Sequence, residues 1–123
     1  MLAKPKEAAS PAFVLTKATF KAAEKLGLTN SDLAAVIGIS EASVSRSKAD
    51  GRTIQPESKE GQLALMLIRV FRSLDPLSGN EDQMQMWMTS YNKALVGVPK
   101  ELIKKPDGLT RTLAYLDGMR APT

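Results

Sequence analysis

Residues 30–52 read NSDLAAVIGISEASVSRSKADGR, and the way this stretch divides decides the fold. Thr29, just before it, is followed three residues later by Asp32, the spacing of a capping box. Leu33, Ala34, Val36 and Ile37 then supply the buried face of a short helix. Gly38 ends that helix, Ser40 caps the next, and Val44 is the residue the next helix turns inward. The segment ADGRTIQP is turn-rich and closes the unit.

Two short helices joined through one glycine form a helix-turn-helix. The first helix braces the second, and the second lies in the major groove of DNA with its N-terminal side chains toward the bases. Ala34 is small where the helices cross, and Ile39 and Val44 fill the space between them. Ser40, Glu41, Ala42, Ser43, Ser45 and Arg46 then face outward, with Lys48 and Arg52 placed for phosphates. Arg46 is the candidate for a guanine contact, because its forked donors match the two acceptors on the guanine edge; a phosphate clamp is the alternative. Ser43 and Ser45 are weaker readers, and Glu41 either accepts from cytosine or simply favours the positive end of its helix. A purely structural helical hairpin is the competing reading. The small and polar character of the outward residues favours the groove.

Composition bounds the rest. A chain of 123 residues that is 43% hydrophobic and 24% charged is expected to fold as one domain, or as two small ones sharing a core. The net charge of +4 leans toward polyanions, and the excess sits in the N-terminal half, with eight basic and five acidic residues up to Gln55. Cysteine and histidine are both absent. That excludes disulfides, the usual zinc fingers, thiol nucleophiles and imidazole acid–base chemistry, so neither an enzyme nor a cofactor is expected. MLAKPKEAAS is too short and polar for a secretory signal, and no apolar run is long enough to cross a bilayer, so the expected location is cytoplasmic.

The remaining segments read as helices too. Ser10-Pro11 starts one that runs to Gly27, with Phe13, Val14, Ala18, Phe20 and Leu26 as its apolar side, and residues 1–9 read as a flexible arm. Pro56 opens the longest helix, which stops before Pro76. Its broad stripe of Leu63, Met66, Leu67, Val70, Phe71 and Leu74 is wider than one core contact needs and offers self-complementary surface for a homodimer. EDQMQMWMTSYNKAL is expected to form a further helix with Met84, Trp87, Met88 and Tyr91 on one side; Met86 is left exposed. Gly97-Val98-Pro99 leads into a one- to two-turn helix. Pro106 breaks the chain, and a final helix carries Leu109, Leu113, Leu116 and Met119 until Asp117-Gly118 ends it. The fold class is all-α: an N-terminal helix-turn-helix over residues 10–55, and a small helical C-terminal domain over 56–123.

Two resemblances follow from these motifs. LAAVIGISEASVSR resembles the Xre/Cro-like repressor class, with one departure: Ser47 stands where that class often has a large residue. The stretch MWMTSYNKALVGVPKELIKKPDGLTRTLAYLDGM is similar to the toxin-binding domain of the Xre/MbcA/ParS antitoxins. It carries, in order, a Trp, Asn92, Ala94 and Leu95, Gly97, Pro99, Leu102-Ile103, a Pro, a Gly-Leu and a Tyr-Leu.

Together the two resemblances imply an antitoxin of a type II toxin–antitoxin system. Such a protein neutralises an NAD-consuming RES-domain toxin and represses its own operon at an inverted-repeat operator. The toxin contacts implied are Trp87, Asn92, Lys100, Glu101, Ile103, Tyr115, Met119 and Arg120; the C-terminal tail either reaches over the toxin's pocket or simply frays. The alternative is a stand-alone dimeric helix-turn-helix repressor without a toxin partner.

Overall fold

The computed structural model describes residues 10–120, which form seven α-helices. They are α1 (Pro11–Leu26), α2 (Asn30–Ile37), α3 (Glu41–Asp50), α4 (Lys59–Leu74), α5 (Glu81–Thr89), α6 (Pro99–Leu102) and α7 (Pro106–Arg120), with a 3-10 turn at Asp75–Leu77. No strand occurs among the described residues. The expected arm at 1–9 and the last three residues of the expected tail lie outside them.

The helix starts are written in local chemistry. Ser10, Thr29, Ser40, Ser58 and Asn80 each accept a backbone N–H of the first turn through the side chain, so otherwise orphaned donors are satisfied at five N-termini. Thr29 and Asp32 complete the capping box: the Asp32 N–H donates to Thr29 Oγ1 at 3.0 Å and the Thr29 N–H to Asp32 Oδ2 at 2.9 Å. Gly38 takes the turn at φ 77°, a left-handed conformation that costs glycine nothing.

Helix α4 is central. It packs on α1 and α2 on one side and on α7 on the other, burying Ala64, Leu67, Ile68, Val70 and Leu74. One core therefore runs from Leu33 and Val44 through Leu67 to Ile103, Leu109 and Leu116. Of the wide stripe, Leu67, Val70 and Leu74 are buried inside the chain and Leu63, Met66 and Phe71 are half-buried against the same core, which leaves less of it for a second copy than its breadth suggests. Pro56 precedes α4 rather than opening it; Ser58 is the cap, and α4 and α1 are equal in length at 16 residues.

Several other expectations are corrected. On α1 the buried face is Thr16, Thr19, Ala22, Ala23 and Leu26, while Phe13 and Val14 are exposed. The threonines can be buried because Thr16 and Thr19 return their hydroxyl protons to the carbonyls of Ala12 and Leu15 at 2.7 Å. Thr16 Oγ1 also accepts the Ile54 N–H, which fastens the 52–55 segment to α1.

Helix α5 stops at Thr89 instead of continuing to Leu95, because Asn92 and Gly97 pair their backbones and close a turn; Tyr91 is consequently exposed. Pro106 does not merely break the chain but is the first residue of α7. Asp117-Gly118 does not end that helix: Asp117 is held by Ser73 Oγ at 2.6 Å and by Arg69 at 3.5 Å, and α7 continues to Arg120. Met86 is exposed, as expected.

Gly108, early in α7, lies so close to the Leu102 carbonyl that a Cβ would collide with it. The Gly-Leu pair is thus explained by close approach of α7 to the end of α6.

Candidate functional site

Helix α3 buries Val44 and Ser47 and presents Glu41, Ala42, Ser45, Arg46 and Ala49 outward. At 100° per residue the outward set spans one continuous arc, with Arg46 and Lys48 near its two edges. Ser40, at the cap, is exposed and bonds the half-buried Ser43, Oγ to Oγ at 3.0 Å. Arg46 donates to Ser43 Oγ at 3.3 Å. The Ser40–Ser43–Arg46 chain pre-arranges donors along the N-terminal half of α3, the part of such a helix that meets base edges.

Lys48 leans away from this row, bonding the Asn30 side chain at the start of α2 and lying over the Phe20 ring at 5.4 Å. Arg52 follows the Gly51 cap and pairs with Asp50 at 3.4 Å, so its charge is partly offset. Seven of the eight residues named from sequence for DNA are exposed, and Ser43 is half-buried.

Ser47, the departure from the common pattern, is buried and donates its hydroxyl to the Arg52 carbonyl. With Phe13, Phe20, Lys17 and Lys48 it lines a groove of about 550 Å³ between α1 and α3. The corner is held by a hydrogen bond in place of bulk.

The C-terminal residues fall into two groups. Trp87 and Met119 line a cavity of about 170 Å³ with Leu74, Leu77 and Leu116. Tyr115 is half-buried and Arg120, on the last described turn, is exposed. The second group surrounds α6. Lys100 and Lys104 reach Asp32 at 3.4 and 3.1 Å, and Glu101 pairs with Lys104 at 3.2 Å.

Asn92 is occupied by its own turn, its Oδ1 accepting the Leu95 N–H at 2.9 Å. Ile103 is wholly buried, so its side chain is core and not surface, which corrects its place among the expected contacts.

Three features went unread in the sequence. The first is the Asp32–Lys100–Lys104 cluster, which ties the N-terminus of α2 to α6. Burial pushes the Asp32 carboxyl up, but hydrogen bonds from Thr29 and Lys104 and the charge of Lys100 outweigh it and hold its pKa at about 2. The Lys104 ammonium is raised by its bond to Asp32. The second is the bond from the Arg111 guanidinium to the Leu95 carbonyl at 2.9 Å. The third is Val96, a β-branched residue at φ 56°, a conformation that costs on the order of 1–2 kcal/mol for a residue with a Cβ. Asn92 and Gly97, with four residues between them, are the turn signal that could have revealed it.

A helix-turn-helix with an exposed, mostly polar outward face shares one core with a second helical unit, the two-part build of a regulator. Comparison with known families agrees. Residues 7–69, just over half of the chain, match the antitoxin Xre-like helix-turn-helix domain, and residues 66–121 match the antitoxin Xre/MbcA/ParS C-terminal toxin-binding domain. The chain belongs to the Xre-like helix-turn-helix antitoxins, a family of non-enzymatic regulators. No curated protein matches it. Among the described residues no helix is long and apolar enough to cross a membrane.

Proposed function

We propose that this antitoxin neutralises an NAD-consuming RES-domain toxin and represses its own operon in the cytoplasm, binding as a homodimer to an inverted repeat. The presence of both modules in one chain carries the reading. A stand-alone repressor would account for α1 to α3 but not for the toxin-binding match downstream. DNA binding is assigned to residues 10–55, and dimerisation and toxin binding to 56–123.

Ser40, Glu41, Ala42, Ser43, Ser45 and Arg46 would meet bases and nearby phosphates, and Lys48 and Arg52 would meet the backbone. Trp87, Lys100, Glu101, Tyr115, Met119 and Arg120 remain the proposed toxin contacts. The RES assignment rests on the order of residues from Trp87 to Tyr115.

Co-expression with the protein of the adjacent reading frame tests the whole. A stable complex that abolishes NAD+ consumption supports it; a neighbour that neither binds nor consumes NAD+ refutes the RES assignment. For the DNA face, Arg46→Ala is expected to weaken operator binding by about 1–3 kcal/mol and to relax preference at one base pair. Lys48→Ala should weaken all sequences alike and lower the salt slope. Band shifts against operator variants at two salt concentrations separate the two outcomes, and unchanged site preference in Arg46→Ala would assign Arg46 to phosphate.

A further inference from the structure

The turn between α5 and α6 is held more firmly than a connection of its length requires. Asn92 and Gly97 exchange backbone hydrogen bonds at 2.8 and 3.3 Å, the Asn92 side chain takes the Leu95 N–H, and Arg111 reaches over from α7 to the Leu95 carbonyl. Leu95 itself is anchored in the core. Inside this frame sits Val96, whose φ of 56° makes it the one non-glycine residue with positive φ among those described. The residue is 71% exposed, more than any other large apolar residue described.

Neither local preference nor folding accounts for a valine there. Glycine or asparagine would adopt the same backbone with less strain, and an exposed apolar side chain gains nothing from water. Strain of this kind persists where surrounding structure over-determines it, and it concentrates at sites that act on something else. We propose that Val96 is an apolar key, presented in fixed form by the turn, that enters a pocket on the toxin.

The proposal rests on the toxin-binding reading above and adds the point of contact. Tyr91, also exposed, flanks the turn, and the cations of Lys93 and Arg111 lie on and against it. Neither cation makes a salt bridge among the described residues. The complementary pocket is therefore apolar at its centre with carboxylates at its rim. A side chain already fixed in its bound conformation loses little freedom on binding, which favours affinity.

The test uses the full chain and the toxin of the adjacent reading frame, with affinity measured by titration. Val96→Gly removes the side chain and relieves the backbone, and Val96→Asn keeps a side chain that tolerates the conformation but makes it polar. Both are expected to keep or raise the melting temperature and to bind operator DNA as wild type does. Toxin affinity should fall about tenfold or more, as for a central interface residue.

Wild-type affinity in Val96→Gly overturns the proposal. So does a loss of melting temperature in both variants, which would make Val96 structural, or a loss of self-association with toxin affinity intact. Absence of toxin binding by the wild type is a separate result and refutes the toxin-binding reading itself.

Discussion

Asp32 does three things with one carboxylate. It closes the capping box of α2, sits at the positive end of that helix, and holds Lys100 of α6 and Lys104 just beyond it. Its carboxyl is mostly shielded, and its pKa of about 2 against an ordinary 3.8 corresponds to roughly 2 kcal/mol of stability. Because the folded-state value is depressed, that contribution is complete above the unfolded pKa and is lost as pH falls from about 4 toward 2. Asp32→Asn, which still accepts the Thr29 N–H, should lower stability at neutral pH by about 1–2 kcal/mol. It should also flatten the acid limb: between pH 5 and pH 2 the variant loses less than wild type in urea unfolding. Parallel curves for the two proteins would show that Asp32 is not the group being titrated. The capping role is legible as Thr29 followed by Asp32; the two lysines are about seventy residues away in sequence and leave no local signal.

Helix α4 belongs to both halves of the molecule. Its breadth of apolar residues is plain from spacing alone, but the same breadth fits two quite different uses: a dimer surface, or a helix enclosed on two sides. The structure decides for enclosure, since Leu67 and Val70 are wholly buried within one chain. Leu67→Ala should therefore cost about 2–5 kcal/mol. It should also destabilise both halves together. Fluorescence of Trp87, the single tryptophan, reports on the C-terminal unit, and far-ultraviolet circular dichroism on all helices. The two unfolding curves are expected to coincide in wild type and variant, shifted equally by the substitution. Separate midpoints would show two independent units. The end of α5 was not legible for a different reason. Asn92, Lys93, Ala94 and Leu95 continue a plausible helical pattern, and only the pairing of Asn92 with Gly97 makes the turn the better satisfied arrangement.

For the whole molecule, one helix-turn-helix reads a short site, so specificity calls for two copies related by symmetry. With most of the α4 stripe enclosed, one apolar surface left near the N-terminal unit is a groove of about 340 Å³ between α1 and α4, where Val14 and Leu65 are exposed. A dimer is expected at micromolar concentration without DNA, with operator half-sites about 34 Å apart or a multiple of that. Light scattering checks the first and footprinting the second. A monomeric mass would overturn the expected homodimer.

The starts of five helices, the glycine turn at Gly38 and the inward Val44 follow from neighbours one to four residues apart, because capping, turn geometry and helical periodicity are short-range physics. So does the outward face of α3, since what is polar or small around one buried valine can be counted on a wheel. Which of several apolar faces is enclosed, why Thr16 and Thr19 are buried while Phe13 is not, why Ser47 can replace a larger residue, and how Asn92, Leu95 and Arg111 hold Val96 in a strained conformation were decided only in three dimensions. These depend on hydrogen bonds and packing partners that helical periodicity does not specify, such as the Arg52 carbonyl past the end of α3 for Ser47, the Ile54 N–H for Thr16 and Arg111 of α7 for the Leu95 carbonyl, and a residue's spacing along the chain carries no record of the partner that satisfies it.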